Sequence, residues 1–458
     1  MLKKKEALEY QIVDIGHDGK SIARPKSGGS KVAFLDRGLP GELVSAIIFK
    51  RSRRYDRGRV LDILEPSAER VTSDCRHFAV CGGCSWRDLA YDAQVRYKRK
   101  RIVDSLERLG GFEDVIVKPV VTAERRQFYR NKMEFSFNAQ PETENGFTLG
   151  LHHRGEFSKI FDVEECLLES ELSNQILDWL RQYVREHELP AYDVTHHSGY
   201  MRFVMIREGK HTNEIMVNIV TTTEEFPEKE KFVSDLTQRF PQITTITHNC
   251  NDRKSNIAYG DSEEILFGEG FIHESILGRT FRIYANSFMQ TNSYQVETLY
   301  QLALDSAEFR ATDRVFDLYC GAGTIGICAA ECVDEIVGIE LEESAIIAAT
   351  ENAQLNQVEN TVFYHGGVRE TLRERKQELK SADIILVDPP RAGMHPRAVY
   401  HASTFGARRI VYVSCSPGAF VRDATLFRDN GYLLRELTPV DMFPHTTHIE
   451  LVAVFDPA

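Results

Sequence analysis

The sequence Arg314-Val-Phe-Asp-Leu-Tyr-Cys-Gly-Ala-Gly-Thr-Ile-Gly326 is the best guide to the architecture of this chain. Residues 315–318 form a short apolar run typical of a buried strand, 320–324 a tight glycine turn, and the residues from Ile325 onward a helix. A strand, a glycine turn and a helix in that order cradle a nucleotide in open α/β sheets, because glycines let a ligand approach the backbone closely. The stretch therefore predicts an α/β domain with a nucleotide site.

A second predicted strand, residues 335–340, ends in the acid Glu340, where such sheets usually hold a ribose hydroxyl. The turn lacks both the third glycine of dinucleotide spacing and a Gly-Lys-Ser/Thr motif, which disfavours pyrophosphate. S-Adenosylmethionine, an adenosine bearing a sulfonium, suits this acid-rich turn better.

Further strands and helices alternate to the end of the chain, which predicts a doubly wound parallel sheet with an antiparallel edge over residues 281–458. Ligands of such sheets bind beyond the carboxyl ends of the strands. We therefore expect residues that follow four separate strands to converge: Gly321 and Gly323, Glu340, Asp388, and Cys415.

A cysteine beside a methyl donor has a chemical purpose when the acceptor is a carbon atom. Carbon-5 of uracil is a poor nucleophile, but a thiolate that adds to carbon-6 pushes electron density onto carbon-5. A base must afterwards remove the carbon-5 proton. The segment Pro444-His-Thr-Thr-His-Ile-Glu450 offers Glu450 or a histidine for that role.

The front of the chain carries most of the positive charge. Residues 1–132 contain 28 Lys and Arg against 18 Asp and Glu, whereas the remainder contains 28 against 50, within a total net charge of −12. Residues 1–66 alternate in short strands that fit a small barrel of OB type. A basic run with Tyr55 inside it suits RNA, although a solvated charged face is the alternative. Its basic members are Lys50, Arg51, Arg53, Arg54, Arg57 and Arg59.

Three cysteines crowd the sequence after the barrel, at Cys75, Cys81 and Cys84, and Cys166 is the best fourth ligand. Four thiolates bind zinc or an iron–sulfur cluster, and the uneven spacing favours a 4Fe-4S cluster over zinc. Isolated buried thiols are the alternative interpretation.

The region 67–280 reads as a central α+β domain, with a helix over 89–109 that carries a basic stripe. Arg130, Asn131 and Lys132 suit RNA contact and a structural role equally well. No apolar stretch reaches eighteen residues, so we expect no membrane span and a cytoplasmic protein.

Several of these motifs together resemble the RNA uracil-5-methyltransferases. They are Gln290 after Ser-Phe-Met, Asp317-Leu-Tyr-Cys-Gly-Ala-Gly, Asp388-Pro-Pro-Arg, Ser414-Cys-Ser-Pro and His448-Ile-Glu. The cysteine quartet and the N-terminal barrel resemble the branch that acts on 23S rRNA, which has a TRAM domain and a 4Fe-4S cluster.

The resemblance implies roles for particular residues. Cys415 would be the nucleophile and Glu450 the base, and the four cysteines would hold the cluster. The pocket for the methyl donor and the target base would be lined by Gln290, Tyr319, Gly321, Gly323, Thr324, Glu340 and Asp388. The resemblance also implies a monomer with RNA as its partner, and a helix 89–110 that packs on the catalytic domain.

Two positions depart from the pattern of these enzymes. Thr324 stands where relatives have asparagine, and Gly366-Gly367 stand where a polar side chain meets the adenine. Contacts to the adenine at these glycines would be through the backbone.

Three other functions compete with methylation of 23S rRNA. The first is the same reaction on the T-loop uracil of tRNA. The second is RNA cytosine-5 methylation, whose enzymes carry Pro-Cys beside the strand-four acid where this chain has Asp388-Pro-Pro. The third is a non-catalytic RNA-binding or assembly factor, against which the retention of Cys415, Asp388 and Glu450 argues.

Overall fold

The computed structural model describes residues 7–16, 19–143, 146–222, 225–254, 258–260 and 262–458. Residues 1–6 and 17–18 of the predicted barrel lie outside the described residues. Among the residues described, no helix is long and apolar enough to cross a bilayer.

The N-terminal strands close into a five-stranded barrel with the order β1-β2-β3-β5-β4. Alternate residues point inward, as the period of two in a strand requires, and Ile12, Val44 and Ala46 meet in a small core. The prediction of a small barrel is confirmed. The strands are β1 (Leu8–Ile15), β2 (Ser21–Pro25), β3 (Val32–Leu35), β4 (Leu43–Arg51) and β5 (Tyr55–Glu65).

The segment after the first three cysteines leaves the barrel and joins the C-terminal half. Helix α1 (Tyr91–Ser105) continues into a π-helical turn, Leu106–Gly110, and a short strand β6 (Ile116–Val117) follows. Ile102 and Leu106 are buried in the same apolar cluster as Phe427 of the last helix. Strand β6 pairs in parallel with strand 432–440 at the edge of the C-terminal sheet.

The central sheet has seven strands in the order β13-β12-β11-β10-β7-β8-β9, with two helices against one face. Helix α2 begins where the Ser170 hydroxyl accepts a hydrogen bond from Ser173 N, and its apolar residues recur at helical spacing to face the sheet. The elements are β7 (Lys132–Ala139), β8 (Phe147–His153), β9 (Glu156–Asp162), α2 (Glu171–Glu186), β10 (Met201–Glu208), β11 (Ile215–Thr221), α3 (Lys229–Arg239), β12 (Ile243–Cys250) and β13 (Ser262–Phe267).

A two-stranded hairpin, β14 (Phe271–Ile276) and β15 (Arg279–Tyr284), links the central sheet to the C-terminal one. Its turn, Leu277-Gly278, has positive φ at both residues, which matches the right-handed twist of the paired strands. The boundary predicted at 280/281 lies within β15.

The C-terminal sheet has eight strands in the order β18-β17-β16-β19-β20-β22-β21-β6. Strands β16 to β20 are parallel and β22 is antiparallel to both of its neighbours. Apolar clusters cover both faces, as in a doubly wound sheet. The elements are α4 (Ser293–Ala307), β16 (Arg314–Leu318), α5 (Thr324–Ala329), a 3₁₀ turn (Ala330–Cys332), β17 (Glu335–Glu340), α6 (Glu343–Leu355), β18 (Thr361–His365), α7 (Val368–Glu374), α8 (Lys376–Leu379), β19 (Ile384–Val387), α9 (Pro396–Ser403), β20 (Arg409–Ser414), α10 (Pro417–Asp429), β21 (Tyr432–Val440) and β22 (Glu450–Pro457).

Candidate active site

The glycine turn follows β16 with three residues in the left-handed region, Tyr319 (φ 63°), Gly321 (φ 53°) and Gly323 (φ 77°). A Cβ at Gly321 would meet nothing within 4 Å, so open space lies above the backbone there. A Cβ at Gly323 would come within 3.2 Å of Ala349 and Phe363. The first glycine thus leaves the backbone accessible to a ligand, and the second lets the turn pack against α6 and β18.

Glu340 is held beside this turn by three backbone amides. Its Oε2 accepts a hydrogen bond from Gly321 N at 3.1 Å, and its Oε1 accepts from Leu341 N and Glu342 N at 2.7 and 3.0 Å. The amides fix the carboxylate at the end of β17, where the sequence places the acid that meets a ribose.

Asp317 lies beneath the turn, and the sequence analysis assigned it no role in the site. Its Oδ2 accepts a hydrogen bond from Gly326 N at 3.0 Å, which ties β16 to helix α5. Burial raises the pKa of Asp317 to about 7, and the negative charges of Asp388 and Glu340 act in the same direction. Asp317, Asp388 and Glu340 thus share one acidic field around the turn.

Asp388 follows β19, and its carboxylate accepts a hydrogen bond from the Gln290 side chain. Burial raises the pKa of Asp388 to about 6, against the opposing effect of that hydrogen bond. Gln290 is only 7% exposed. Two predicted site residues that lie almost a hundred positions apart are therefore in direct contact.

Asn131 holds the Gln290 loop in place. Its Nδ2 donates to Gln290 O at 2.9 Å and to Ser293 Oγ at 2.8 Å, and its own backbone N donates to Thr291 O at 2.9 Å. Asn131 is only 4% exposed, so its side chain has a structural role and does not contact RNA. Only the tertiary structure shows this role, because the sequence carries no sign of a contact across 159 residues.

Cys415 and Glu450 meet at the same edge of the sheet. Strand β20 ends at Ser414 and the antiparallel strand β22 begins at Glu450, and Ser414 pairs with Leu451. The end of one strand and the start of the other therefore coincide. Cys415 is half-buried and not sealed from solvent, whereas Glu450 is 2% exposed.

The charges around this pair favour its neutral forms. Burial, and then the negative charge of Glu450, raises the pKa of the Cys415 thiol to about 11. Burial, and then the negative charge of Asp388, raises the pKa of Glu450 to about 8. The exposed Arg391 lowers both pKa values. No role was predicted for Arg391, although it follows Asp388 by three residues in the Asp-Pro-Pro-Arg motif.

Thr324 and Tyr319 border the same turn. Thr324 Oγ1 lies 3.2 Å from the Tyr300 hydroxyl, and burial raises the pKa of Tyr319 to about 12. At Gly366, one of the two glycines that stand where these enzymes carry a polar side chain, the backbone N donates to Glu340 O at 2.8 Å. The backbone at Gly366 is thereby fixed beside β17.

All four cysteines of the predicted cluster line one cavity of about 720 Å³. Arg130 and Lys132 line it as well, so these two residues face the cysteine site. Within the described ranges, no group of three or more His, Cys, Asp or Glu side chains is placed to hold a metal ion. The iron–sulfur site therefore stays a prediction.

Comparison with known proteins identifies the class. Residues 90–456 match the family model described as tRNA (uracil-5-)-methyltransferase. A protein named as an uncharacterised RNA methyltransferase of Chlorobaculum tepidum is 38% identical, covering 100% of this chain and 97% of its own. A second, from Halalkalibacterium halodurans, is 35% identical over 99% and 98% of the two chains.

Among solved structures, the tRNA (uracil-54, C5)-methyltransferase of Pyrococcus abyssi, in complex with S-adenosyl-L-homocysteine, is similar over 98% of this chain and 100% of its own. Its TM-score is 0.78 and its sequence identity 29%. The fold and the matches define an S-adenosylmethionine-dependent RNA methyltransferase. The chain belongs to the tRNA (uracil-5-)-methyltransferase family.

Proposed function

We propose that this protein methylates carbon-5 of a uracil in 23S rRNA through a covalent adduct between Cys415 and carbon-6. The observation that carries the proposal is the meeting of Cys415 and Glu450 at the sheet edge shared with the Asp388 carboxylate and the glycine turn. A thiol, an acid with a raised pKa and a methyl-donor pocket are the three components that the reaction needs.

In the first step, the Cys415 thiolate forms a bond to carbon-6 while the C5=C6 electrons shift onto the carbon-4 carbonyl as an enolate. Carbon-5 then attacks the sulfonium methyl group, and the methyl–sulfur bond breaks to leave S-adenosylhomocysteine. Glu450 takes the carbon-5 proton, the C5=C6 bond re-forms, and the thiolate leaves. Arg391 favours the thiolate, since its charge lowers the pKa of Cys415.

The methyl donor would lie against the glycine turn. We propose that Gly321, Gly323 and Thr324 contact it through the turn, that Glu340 holds its ribose, and that Gln290, Tyr319 and Asp388 line the space between the donor and the target base. The open space above Gly321 and the fixed Glu340 carboxylate support these roles.

The front barrel would bind RNA as a TRAM-type domain. The basic turn between β4 and β5 supports this role, because Arg51, Arg53 and Arg54 are exposed there and Tyr55 offers a ring 5.6 Å from the Arg57 guanidinium. The target uracil must leave its stack to reach a strand tip, so an unpaired or looped segment would be the easiest substrate.

The T-loop uracil of tRNA is the second candidate substrate. The archaeal enzyme named for uracil-54 of tRNA is similar to nearly the whole of this chain, so the overall architecture does not separate the two substrates. The barrel and the cysteine quartet are our reasons for placing rRNA first.

Methylation of RNA from a strain that lacks the gene tests the proposal. Purified protein with labelled S-adenosylmethionine should transfer the methyl group to carbon-5 of uracil in 23S rRNA and leave tRNA unlabelled. Labelling of tRNA alone would select the T-loop alternative. Labelling of neither RNA, by protein that binds S-adenosylmethionine, would contradict both substrates.

We further propose that Cys75, Cys81, Cys84 and Cys166 hold a 4Fe-4S cluster. Four thiols on one cavity are the donor set of such a cluster, and a cluster spans more space than a single ion at about 2.3 Å from each sulfur. Bound there, it would cross-link the segment before α1 to the segment between β9 and α2.

Protein purified without oxygen should be brown, absorb broadly near roughly 400 nm and contain about four irons per chain. Cys84→Ser should lose the colour and most of the iron, whereas Cys332→Ser, at an exposed cysteine outside the cavity, should keep both. A colourless protein with one zinc ion would show that the thiolates hold zinc instead.

A further inference from the structure

The base loop, residues 441–449, joins β21 to β22 and delivers Glu450 to the active site. Other parts of the chain form hydrogen bonds with its backbone over most of residues 441–447. Met442 O accepts from Asn292 Nδ2 at 2.9 Å, and Pro444 O accepts from the Tyr129 hydroxyl at 3.1 Å. Such a loop has little freedom to move independently of its surroundings.

Most of the remaining contacts come from residues 85–101, which directly follow Cys84. Ser85 N and Trp86 N both donate to His445 O at 2.9 Å. From α1, Lys98 Nζ donates to Phe443 O at 2.9 Å, and Arg101 donates to Thr447 O. The turn after the cysteine motif is thus bonded to the loop that directly precedes the proposed base.

A buried ion pair secures the beginning of the base loop. Lys98 and Asp441 are both buried, with Nζ and Oδ1 2.6 Å apart, and Asp441 Oδ2 accepts from the Tyr91 hydroxyl at 2.9 Å. Because desolvation offsets much of the Coulomb attraction, such pairs add little net stability. This one instead specifies how α1 docks on the loop.

Gln94 makes the tightest link between the cysteine segment and the base loop. It is 1% exposed, and its Nε2 donates to Trp86 O at 2.9 Å and to Leu89 O at 2.8 Å. Its Oε1 accepts from His445 N at 2.9 Å. One amide side chain therefore joins the turn after Cys84, the start of α1 and the loop before Glu450.

We infer that Gln94, with the Ser85–Trp86 turn, positions Glu450 for proton removal, and that the cysteine site influences the reaction through this link. The inference rests on the proposed function. Pairing with β20 begins at Leu451, and pairing with β21 reaches Glu450 opposite Val440. Glu450 is nevertheless the first residue of β22 and directly follows the loop, so its placement depends partly on the loop. A displacement of about 1 Å in a catalytic group costs roughly 10²-fold in rate.

The test compares two reactions of a Gln94→Met variant, which keeps the volume of the side chain and removes its hydrogen bonds. With 5-fluorouracil RNA, the enzyme forms the adduct and transfers the methyl group but finds no proton to remove. With uracil RNA, turnover requires proton removal. On uracil RNA, we expect turnover to fall about tenfold or more and a methylated covalent adduct to accumulate. On 5-fluorouracil RNA, the rate at which the covalent adduct forms should change less than about threefold.

Amide hydrogen exchange supplies a readout apart from activity. Peptides covering 441–449 should exchange faster in Gln94→Met and in Cys84→Ser than in the wild type, because His445 N loses its acceptor or the turn that supports it. Gln182→Met is the matched control, since Gln182 is exposed on α2 and its Nε2 donates to Asp178, one turn earlier in the same helix. It should change neither exchange nor turnover.

The inference would be overturned if Gln94→Met lost turnover on uracil RNA and adduct formation on 5-fluorouracil RNA equally. Unchanged hydrogen exchange of residues 441–449 in a folded Gln94→Met protein would also overturn it. If Gln94→Met does not fold, Tyr129→Phe removes a single hydrogen bond to the loop and should show the same pattern at smaller amplitude. A wild-type protein that never traps 5-fluorouracil RNA would instead contradict the proposed function, while the exchange measurement would still decide the link.

Discussion

Replacing Cys415 by alanine is expected to abolish uracil methylation, with a loss on the order of 10⁴-fold or greater. Without the thiolate, carbon-5 keeps the low nucleophilicity of an unactivated uracil. Neither cysteine near the glycine turn is placed to substitute, because Cys320 is buried within the turn and Cys328 donates to Ile276 O of the hairpin. Transfer of labelled methyl from S-adenosylmethionine to RNA measures the loss.

Binding of S-adenosylmethionine separates loss of chemistry from loss of structure. Cys415→Ala should bind the donor as the wild type does, because the glycine turn and Glu340 are unchanged. Cys332→Ala, at an exposed cysteine on the 3₁₀ turn, should retain full activity. Methylation of carbon-5 at the normal rate by Cys415→Ala would refute the covalent mechanism.

The Glu450→Gln variant is expected to stall after methyl transfer and to remain bound covalently to RNA. Carbon-5 then carries both the new methyl group and its original proton, and the sulfur–carbon bond can break only when a base removes that proton. Glutamine has the shape of glutamate but accepts no proton. Turnover should fall by about 10² to 10⁴-fold, and a denaturation-resistant complex should accumulate on ordinary uracil RNA.

Two comparisons make this result specific to Glu450. Glu436→Gln makes the same change on the neighbouring strand β21, where the carboxylate pairs with Lys118, and should turn over normally. Failure of Glu450→Gln to yield any adduct, even on 5-fluorouracil RNA, would count against the prediction that this variant stalls after methyl transfer, and normal turnover by the variant would refute Glu450 as the base.

The pH dependence of adduct breakdown reports the same group. The base must be ionised, and burial together with Asp388 raises the pKa of Glu450 to about 8. The breakdown rate of the wild type should therefore rise roughly tenfold per pH unit below that value and level off above it. The residual rate of Glu450→Gln should lack this rise.

The raised pKa values of Cys415 and Glu450 have a mechanistic consequence. Before substrates bind, both groups favour their neutral forms near neutral pH, which protects the thiol from side reactions of a free thiolate. A sulfonium bound at the proposed donor site beside Asp388 would add positive charge, which favours ionisation of both groups. Donor binding would thereby activate the thiol.

The C-terminal sheet was predictable in detail because its signals are local. Apolar runs bounded by turn residues predicted the strands around Asp317, Asp388 and Ser414, and the structure places strands there. The helix predicted over 342–356 is observed as Glu343–Leu355. Helices α7, α8 and α9 were not predicted; α9 begins at Pro396, after a loop that contains Pro-Pro and a glycine.

Contacts between distant parts of the chain were the features that sequence reasoning missed. The 89–109 helix carries a basic stripe, which by itself is typical of a solvated face, yet Lys98 of that stripe is buried against Asp441. Asn131 was weighed for RNA and instead supports Gln290. A polar residue buried by long-range packing looks the same in sequence as one that faces solvent.

By itself, the sequence determined which chemical groups follow the strands of the C-terminal sheet and that they meet at the candidate site. Carboxyl ends of parallel strands lie along one edge, so placing Glu340, Asp388 and Cys415 after strands was enough to predict their proximity. The tertiary structure alone decided how those groups behave, through the burial that raises the pKa values of Cys415 and Glu450 and through the loop that Gln94 and Lys98 hold. Desolvation and long-range hydrogen bonds depend on which groups pack around a residue in space, and that environment cannot be read from its neighbours in sequence.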